Sequence, residues 1–332
     1  MSQVEEKKLA TIVVSWNNED ILEECFQSLR EQTIASDNIT VLVDNNSSDG
    51  SVSLTKKLFP EVDVLDFEEN LGFAAGNNRA IEYVLDKHPT VEYVVLLNSD
   101  ARIADNWLET IYDFAKQKKK GAFFQSVTLD YYDHDVIDSS HIYIARNSAG
   151  TQAKWRDLYK GELGPARVFG VNFAAAMVNV DFIKEQPLPY LLDETMFMYL
   201  EDVDACARAT VMGWENYTVP GTRAYHMGSA SSNKRPGFSL YLTYRNNLAL
   251  LVKNIPKSIL MRIIPSMIRS DLATMRHLRR MGQSGSIKYI IKGRFVGLFR
   301  LYKYRKQISS MSQYRKSISK DYLWQIMRLG KL

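Results

Sequence analysis

The stretch YVVLLNSDARI, residues 93–103, runs five largely apolar residues into Asn98, Ser99 and Asp100. A Val- and Leu-rich run of this length reads as a strand covered on both faces. The Asp100 carboxylate then stands near the C-terminal edge of a sheet, which is where open α/β sheets bind ligands. The competing reading is a helix cap, with Asn98 and Asp100 opening the next segment, ADNWLETIYDFAKQ.

Working back from this stretch, strand and helix signals alternate: LATIVVSW, NEDILEECFQSLREQ, ITVLVDN, SSDGSVSLTKKLF, VDVLDF, a Gly/Asn loop with NNRAIEYVLDK, and VEYVVLLN. The βαβαβαβ order predicts a parallel sheet with helical crossovers. Ile21, Leu22, Cys25, Phe26 and Leu29 form one apolar stripe of the first helix, with Asn17 or Asn18 as its cap. Working forward, residues 120–170 lack a clear period and read as short strands and loops. RVFGVNFAAAMVNV then reads as a buried hairpin or strand, EDVDACARATVMGW as a helix and NYTVPGTRAYH as a short strand. Beyond Pro236 come long helical stretches punctuated by Pro256, Pro265 and Gly282 to Gly285, so a boundary is expected near residue 235.

A chain of 332 residues, 45% hydrophobic, can bury a sizeable core, which excludes general disorder. Its two cysteines, Cys25 and Cys206, have no metal-site spacing and read as buried thiols in a reducing compartment. The opening MSQVEEKKLA holds acidic residues and no apolar core, unlike a secretory signal, and points to the cytoplasm. The longest uncharged apolar-rich run, Val168–Val180, has 13 residues, too few to span a bilayer. The net charge of +4 conceals an asymmetry. From Val252 onward there are 19 Lys and Arg against Asp271 and Asp321, while the rest of the chain is net acidic. A basic appendage of this kind suits an anionic surface.

Polar groups recur where strands end: Ser15, Trp16 and Asn17 after the first, Asp44 and Asn45 after the second, Asn98 and Asp100 after the fourth. The loop ENLGFAAGNNRA adds Gly72, Ala74, Ala75 and Gly76, where a ligand can approach backbone closely. Neither GxGxxG nor GxxxxGK[ST] is present, so dinucleotide and phosphate-loop folds are not indicated.

The ordered set TIVVSWNN, VLVDNNSSDGS, NLGFAAGNN, LLNSD, YLEDVDAC and AYHMGSAS resembles family 2 of the inverting nucleotide-sugar glycosyltransferases. The resemblance covers roughly residues 9–250. It is greatest to bacterial rhamnosyl- and galactofuranosyltransferases, in which a Tyr-x-x-x-Arg-Asn segment follows, here YLTYRNN. It implies a GT-A fold, Rossmann-like with a mostly parallel sheet flanked by helices, over residues 1–235. A basic, mainly helical region, 236–332, would follow. It further implies transfer of a sugar to a hydroxyl of a lipid-linked cell-surface glycan. Rhamnose from dTDP-rhamnose is the first expectation and galactofuranose from UDP-galactofuranose the second.

A leaving diphosphate needs a divalent cation, Mn²⁺ or Mg²⁺, to neutralise its growing charge. The family's DxD motif falls on Asn98-Ser99-Asp100, with an amide in place of the first carboxylate, as in many relatives. Asp100 is thus the implied main carboxylate ligand, and His226 a further ligand. Inversion needs a base to remove the acceptor proton. The family's ED motif assigns this to Asp202, with Glu201 orienting acceptor hydroxyls; the bland reading is that acids simply favour a helix start. Asp204 reads as a cap or a partner of Arg208, four residues on. The implied nucleotide-sugar-binding residues are Ser15, Trp16, Asp44, Asn45, Gly72, Asn78, Asn98, Ser99 and Arg245. Asp44 would meet base or ribose, Trp16 would stack on the base, and Arg245 would reach the diphosphate or acceptor.

In the tail, SIKYIIKGRFVGLFRLYKYRK alternates basic and apolar groups, as amphipathic helices lying on an anionic leaflet do. The expectation is a peripheral enzyme on the inner face of the cell membrane. Two other classes compete. One is a nucleic-acid-binding protein using the basic tail, which carries no nucleic-acid motif; the other is a non-catalytic protein of the same fold.

Overall fold

The computed structural model describes residues 7–145, 150–161, 163–228 and 237–317. The first six residues, the end of the AYHMGSAS motif and the last part of the basic tail lie outside them. The strands are β1 Leu9–Ser15, β2 Asn38–Asp44, β3 Asp63–Asp66, β4 Tyr93–Asn98, β5 Ala101–Ile103, β6 Gly121–Asp130, β7 Ile137–Ser139, β8 Ile142–Ile144, β9 Gly150–Gln152, β10 Ala166–Val168, β11 Ala175–Asn179 and β12 Glu215–His226. The helices are α1 Glu19–Arg30, α2 Ser51–Leu58, α3 Gly72–Lys87, α4 Trp107–Lys116, α5 Val180–Glu185, α6 Glu201–Val211, α7 Phe238–Asn254, α8 Lys257–Arg280, α9 Ile287–Arg300 and α10 Arg305–Ser317.

The main sheet runs β10-β12-β6-β11-β4-β1-β2-β3, with β5 on β12 and β7 on β6. The first half obeys the βαβ pattern: β4, β1, β2 and β3 are parallel neighbours. Beyond β4 the sheet is mixed, because β11 is antiparallel to both β4 and β6. Both faces are covered. Ala10 and Ile12 point into one core with α3 and α6, whereas Leu9 and Val13 point into another with α1 and α4. That two-sided burial is why the strands read as apolar runs instead of alternating ones.

Several local expectations change. The segment after β4 is the short strand β5, and α4 starts at Trp107 behind Asn106, so Asn98 and Asp100 cap nothing. The expected Gly/Asn loop is mostly helix: α3 begins at Gly72, and its small residues let it sit close to the sheet. A Cβ on Gly76 would lie 3.2 Å from Val14 and 3.3 Å from Val43. RVFGVNFAAAMVNV forms two strands with different partners, and NYTVPGTRAYH belongs to a 12-residue strand whose register shifts between Thr218 and Arg223. Pro265 lies inside α8 without ending it.

The helices after residue 237 share the principal core. Leu248 to Leu251 of α7, then Ile255, and Ile259, Ile263 and Met267 of α8 join the cluster that holds α3 and α6. Lys253 is buried with them, its Nζ 2.5 Å from Asp193 and 2.9 Å from Asp204. Asp204 also pairs with Arg208, as the i,i+4 spacing suggests. No helix among the described residues is long and apolar enough to cross a membrane.

Candidate functional site

Parallel register lines up the strand ends: Ser15 pairs with Asp44, and Val14 with Asn98. The polar residues that follow therefore converge on one cleft, of about 610 Å³, a size that suits a small organic ligand. Ser15, Trp16, Asn45, Gly72, Asn98, Ser99 and Asp100 line it from the parallel half. Glu201 and Asp202 enter from the start of α6, and His226 from the end of β12.

A particular pairing brings Asp100 to His226. β5 runs antiparallel to the end of β12, setting Ala101 opposite His226, and the Met227 N–H donates to the Asp100 carbonyl. Asp100 Oδ1 then lies 3.3 Å from His226 Nε2. Asn98 Nδ2 lies 3.2 Å from the same nitrogen. On its far side the ring meets Asp138, Nδ1 to Oδ2 being 3.0 Å. Burial opposes charge on the imidazole, but its hydrogen bonds to Asp100 and Asp138 prevail and raise its pKa to about 10.

A carboxylate oxygen and an imidazole nitrogen 3.3 Å apart on the cleft wall would suit a divalent cation that displaces the proton shared between them. Asp100 and His226 therefore fit such an ion. No group of three or more His, Cys, Asp or Glu side chains that could by itself hold a metal ion occurs among the described residues.

The acids of α6 are held from an unusual direction. Phe197, Tyr199 and Leu200, just ahead of them, have φ of 66°, 70° and 69°. Left-handed backbone costs a non-glycine residue roughly 1–2 kcal/mol. Asn246 of α7 offsets this by reaching the carbonyls of Met196, Met198 and Tyr199 at 2.8–3.0 Å. Arg245 donates to Thr195 and Met196, and the Phe197 carbonyl accepts from Ala74 N–H. Gly72, at φ +80°, must lack a side chain here, since a Cβ would fall 2.6 Å from the Phe197 carbonyl oxygen. Burial raises the pKa of Glu201 and of Asp202, and the neighbouring Asp202 charge adds to the effect on Glu201.

Two expected cleft residues face elsewhere. Asn78 is buried, its amide exchanging hydrogen bonds with the backbone of Leu192. Arg245 is spent on the carbonyls before α6 and is neither a solvated charge nor part of the lining. Asp44 lies at the end of β2 just behind the lining, where its Oδ2 accepts from Ser47 N–H. Asn17 and Asn18 do not cap α1 through their side chains: Asn17 accepts from Ser48, and Asn18 donates to Ser99 at 2.8 Å. Sequence reasoning missed Asp138, Asp130, Trp155 and Phe197 in the lining. Asp138, Trp155 and Phe197 lie in segments without periodicity, and Asp130 ends β6, a strand that the sequence between residues 120 and 170 did not mark.

Three buried side-chain oxygens around this cleft, Ser15 Oγ, Asp44 Oδ1 and Glu201 Oε2, have no hydrogen-bond partner. Leaving such an atom unpaired costs about 1–3 kcal/mol, a cost that a polar ligand would relieve.

Comparison with known proteins agrees with this geometry. The family model described as Glycosyl transferase family 2 matches residues 11–180. The chain belongs to that family. Among relatives of this family 2 protein is an N-acetylglucosaminyl-diphospho-decaprenol L-rhamnosyltransferase of Mycobacterium tuberculosis. It is 24% identical over 230 residues, which cover 64% of this chain and 73% of the relative. Rhamnosyltransferase WbbL of Escherichia coli is also 24% identical over 230 residues, covering 65% of this chain and 81% of the relative. Mannosyltransferase PcManGT from Pyrobaculum calidifontis, solved with GDP-Man and Mn²⁺, superimposes with a TM-score of 0.55. It is 15% identical, over 95% of this chain and 88% of that one. At that identity the likeness speaks for the shared GT-A architecture.

Proposed function

We propose that this family 2 protein is a metal-dependent inverting hexosyltransferase acting on a lipid-linked glycan of the cell surface, with dTDP-rhamnose as donor. UDP-galactofuranose is the second choice. The observation that carries the reading is the convergence of Asp100 and His226, from one side, and Glu201 and Asp202, from another, on a single cleft. The two rhamnosyltransferase relatives support the donor, and the decaprenol in the name of one supports a lipid-linked acceptor.

Ser15, Trp16, Asn45 and Ser99 would hold the nucleotide end, with Asp44 behind them; Trp16 would supply a ring for the base to stack on. Asp100 and His226 would hold Mn²⁺ or Mg²⁺, which when bound neutralises charge on the departing diphosphate. Asp202, part-open to the cleft and raised in pKa, is suited to take the acceptor proton. Glu201, with one oxygen unpaired, is suited to orient the acceptor hydroxyls.

The basic C-terminal helices would bring the enzyme to the inner face of the membrane. On α9, Ile291, Phe295, Leu298, Phe299 and Tyr302, the last just past the helix end, form one exposed stripe flanked by Lys288, Lys292 and Lys303. On α8, exposed Met261, Ile268 and Leu272 run beside Arg262, Arg269 and Arg276. Apolar stripes edged with cations suit an anionic leaflet better than a nucleic-acid backbone.

The test is release of nucleoside diphosphate from a panel of nucleotide sugars with a lipid-linked glycan acceptor. Turnover should stop in EDTA and return with Mn²⁺ or Mg²⁺. Silence on every donor sinks the enzyme reading, and full activity in EDTA sinks the metal assignment.

A further inference from the structure

We propose that Asp138 is a positioning residue for His226: its carboxylate fixes the imidazole so that Nε2, and not Nδ1, faces Asp100. The inference rests on the reading of Asp100 and His226 as cation ligands and goes beyond it to what makes the second ligand competent.

The strand pairing singles Asp138 out. Ile137 stands opposite Leu129 and Ser139 opposite Thr128, so two steps along β7 match one along β6. Asp138 is the extra residue of this β-bulge, with no partner in the ladder. A bulge bends the strand and re-aims a side chain, and bulges recur beside active sites. Here the neighbours Ile137 and Ser139 are buried, while Asp138 turns into the cleft and meets the ring from the side opposite Asp100.

Geometry then decides which nitrogen faces Asp100. The Nδ1 N–H donates to Asp138 Oδ2 at 3.0 Å, which leaves Nε2 on the side of Asp100 Oδ1, 3.3 Å away. The side chains of His226 and Asp138 are 11% and 16% exposed, too enclosed for the ring to turn freely. A lone imidazole can present either nitrogen. A carboxylate on one N–H fixes tautomer and orientation and makes the other nitrogen a stronger donor to a metal.

The experiment titrates Mn²⁺ onto the full chain in the presence of UDP or dTDP, following free Mn²⁺ by its electron paramagnetic resonance signal. Asp138→Asn, nearly isosteric, and Asp138→Ala should each weaken Mn²⁺ binding by about 10- to 100-fold at a temperature where circular dichroism shows both variants folded, whatever their melting temperature. Asp138→Glu should recover part of the affinity. In ¹⁵N-labelled protein with Mg²⁺, the His226 proton should sit on Nδ1 in wild type and shift toward Nε2 in Asp138→Asn. His226→Ala is the reference and should lose affinity at least as much. If the Asp138 variants bind Mn²⁺ like wild type while His226→Ala does not, or if they lose only thermal stability, the positioning role is overturned. If His226→Ala also binds normally, the cation-ligand reading fails first and takes the inference with it.

Discussion

Replacing Lys253 by Met should destabilise the whole molecule, although the residue lies in the last third of the chain and is absent from the cleft lining. Its ammonium is 1% exposed and sits 2.5 Å from Asp193 and 2.9 Å from Asp204. Arg208 supplies the second cation, 3.2 Å from Asp204, and Asn254 donates to the other Asp204 oxygen. Two carboxylates and two cations thus balance in a site without water access. Methionine keeps the length and apolar stem of lysine but leaves one negative charge without a counterion. Breaking a buried pair from one side costs about 3–5 kcal/mol, which for a chain of this size means a melting temperature lower by about 4–7 °C. The loss should also depend on pH. Burial works against ionising Asp193, but Lys253 and the hydrogen bonds from Thr195 outweigh it, so its pKa lies below the ordinary value. The wild-type contribution is therefore present above the unfolded pKa of about 3.9 and disappears as pH falls through the lower folded value. In Lys253→Met the carboxyl loses its cation and its pKa rises. The deficit should then be full at pH 7 to 8 and narrow toward pH 5, where protonation removes the stranded charge. Thermal unfolding followed by circular dichroism at three pH values measures both effects, and adding Asp193→Asn to Lys253→Met should restore much of the loss. A deficit under about 1 kcal/mol, or one equal at pH 5 and pH 8, would refute the argument.

Three further outcomes are expected. Asp202→Asn should fold, bind donor and cation normally, and lose transfer by about 10²- to 10⁴-fold. The acid limb of the wild-type rate profile should lie above the ordinary carboxylate range because burial raises that group; near-normal turnover in the variant would move attention to Glu201. Burial together with the Asp202 charge makes the folded state hold the Glu201 proton more tightly than the unfolded chain does, so stability falls as pH rises from about 4.3 toward the folded pKa. Glu201→Gln should therefore melt progressively higher than wild type as pH is raised through that window, and equal melting curves at pH 5 and 8 would contradict it. Finally, Phe295→Asp with Phe299→Asp, both more than 60% exposed, should leave the fold intact but reduce flotation with anionic vesicles by at least tenfold, whereas unchanged flotation would remove α9 from the membrane contact.

The parallel half of the fold was legible because its information is local. Each of β1, β2 and β4 is an apolar run ending in polar residues, and a parallel register must bring those ends together. The pairing of Asp100 with His226 was legible only through family resemblance, since β5 and the end of β12 are more than 120 residues apart in the chain. Asp138 was not legible at all, because a bulge is a mismatch between two strands and leaves no mark in either one alone. For Arg245 and Asn78 the motif suggested ligand contact, whereas the structure bonds them to a segment nearly 50 and more than 110 residues away, which no local pattern shows. The residues after 237 read as an appendage by charge, but their apolar faces complete the core.

The grip of Asn246 on the carbonyls before α6 has a consequence for synthesis on the ribosome. Strands β1 to β4 and β11 can pair once the first 179 residues have emerged, whereas the backbone ahead of Glu201 and Asp202 acquires its main restraint only when α7 follows. The polar ends of the parallel strands can therefore come together while the backbone that opens α6 still lacks that restraint, so the two walls of the cleft are built at different times.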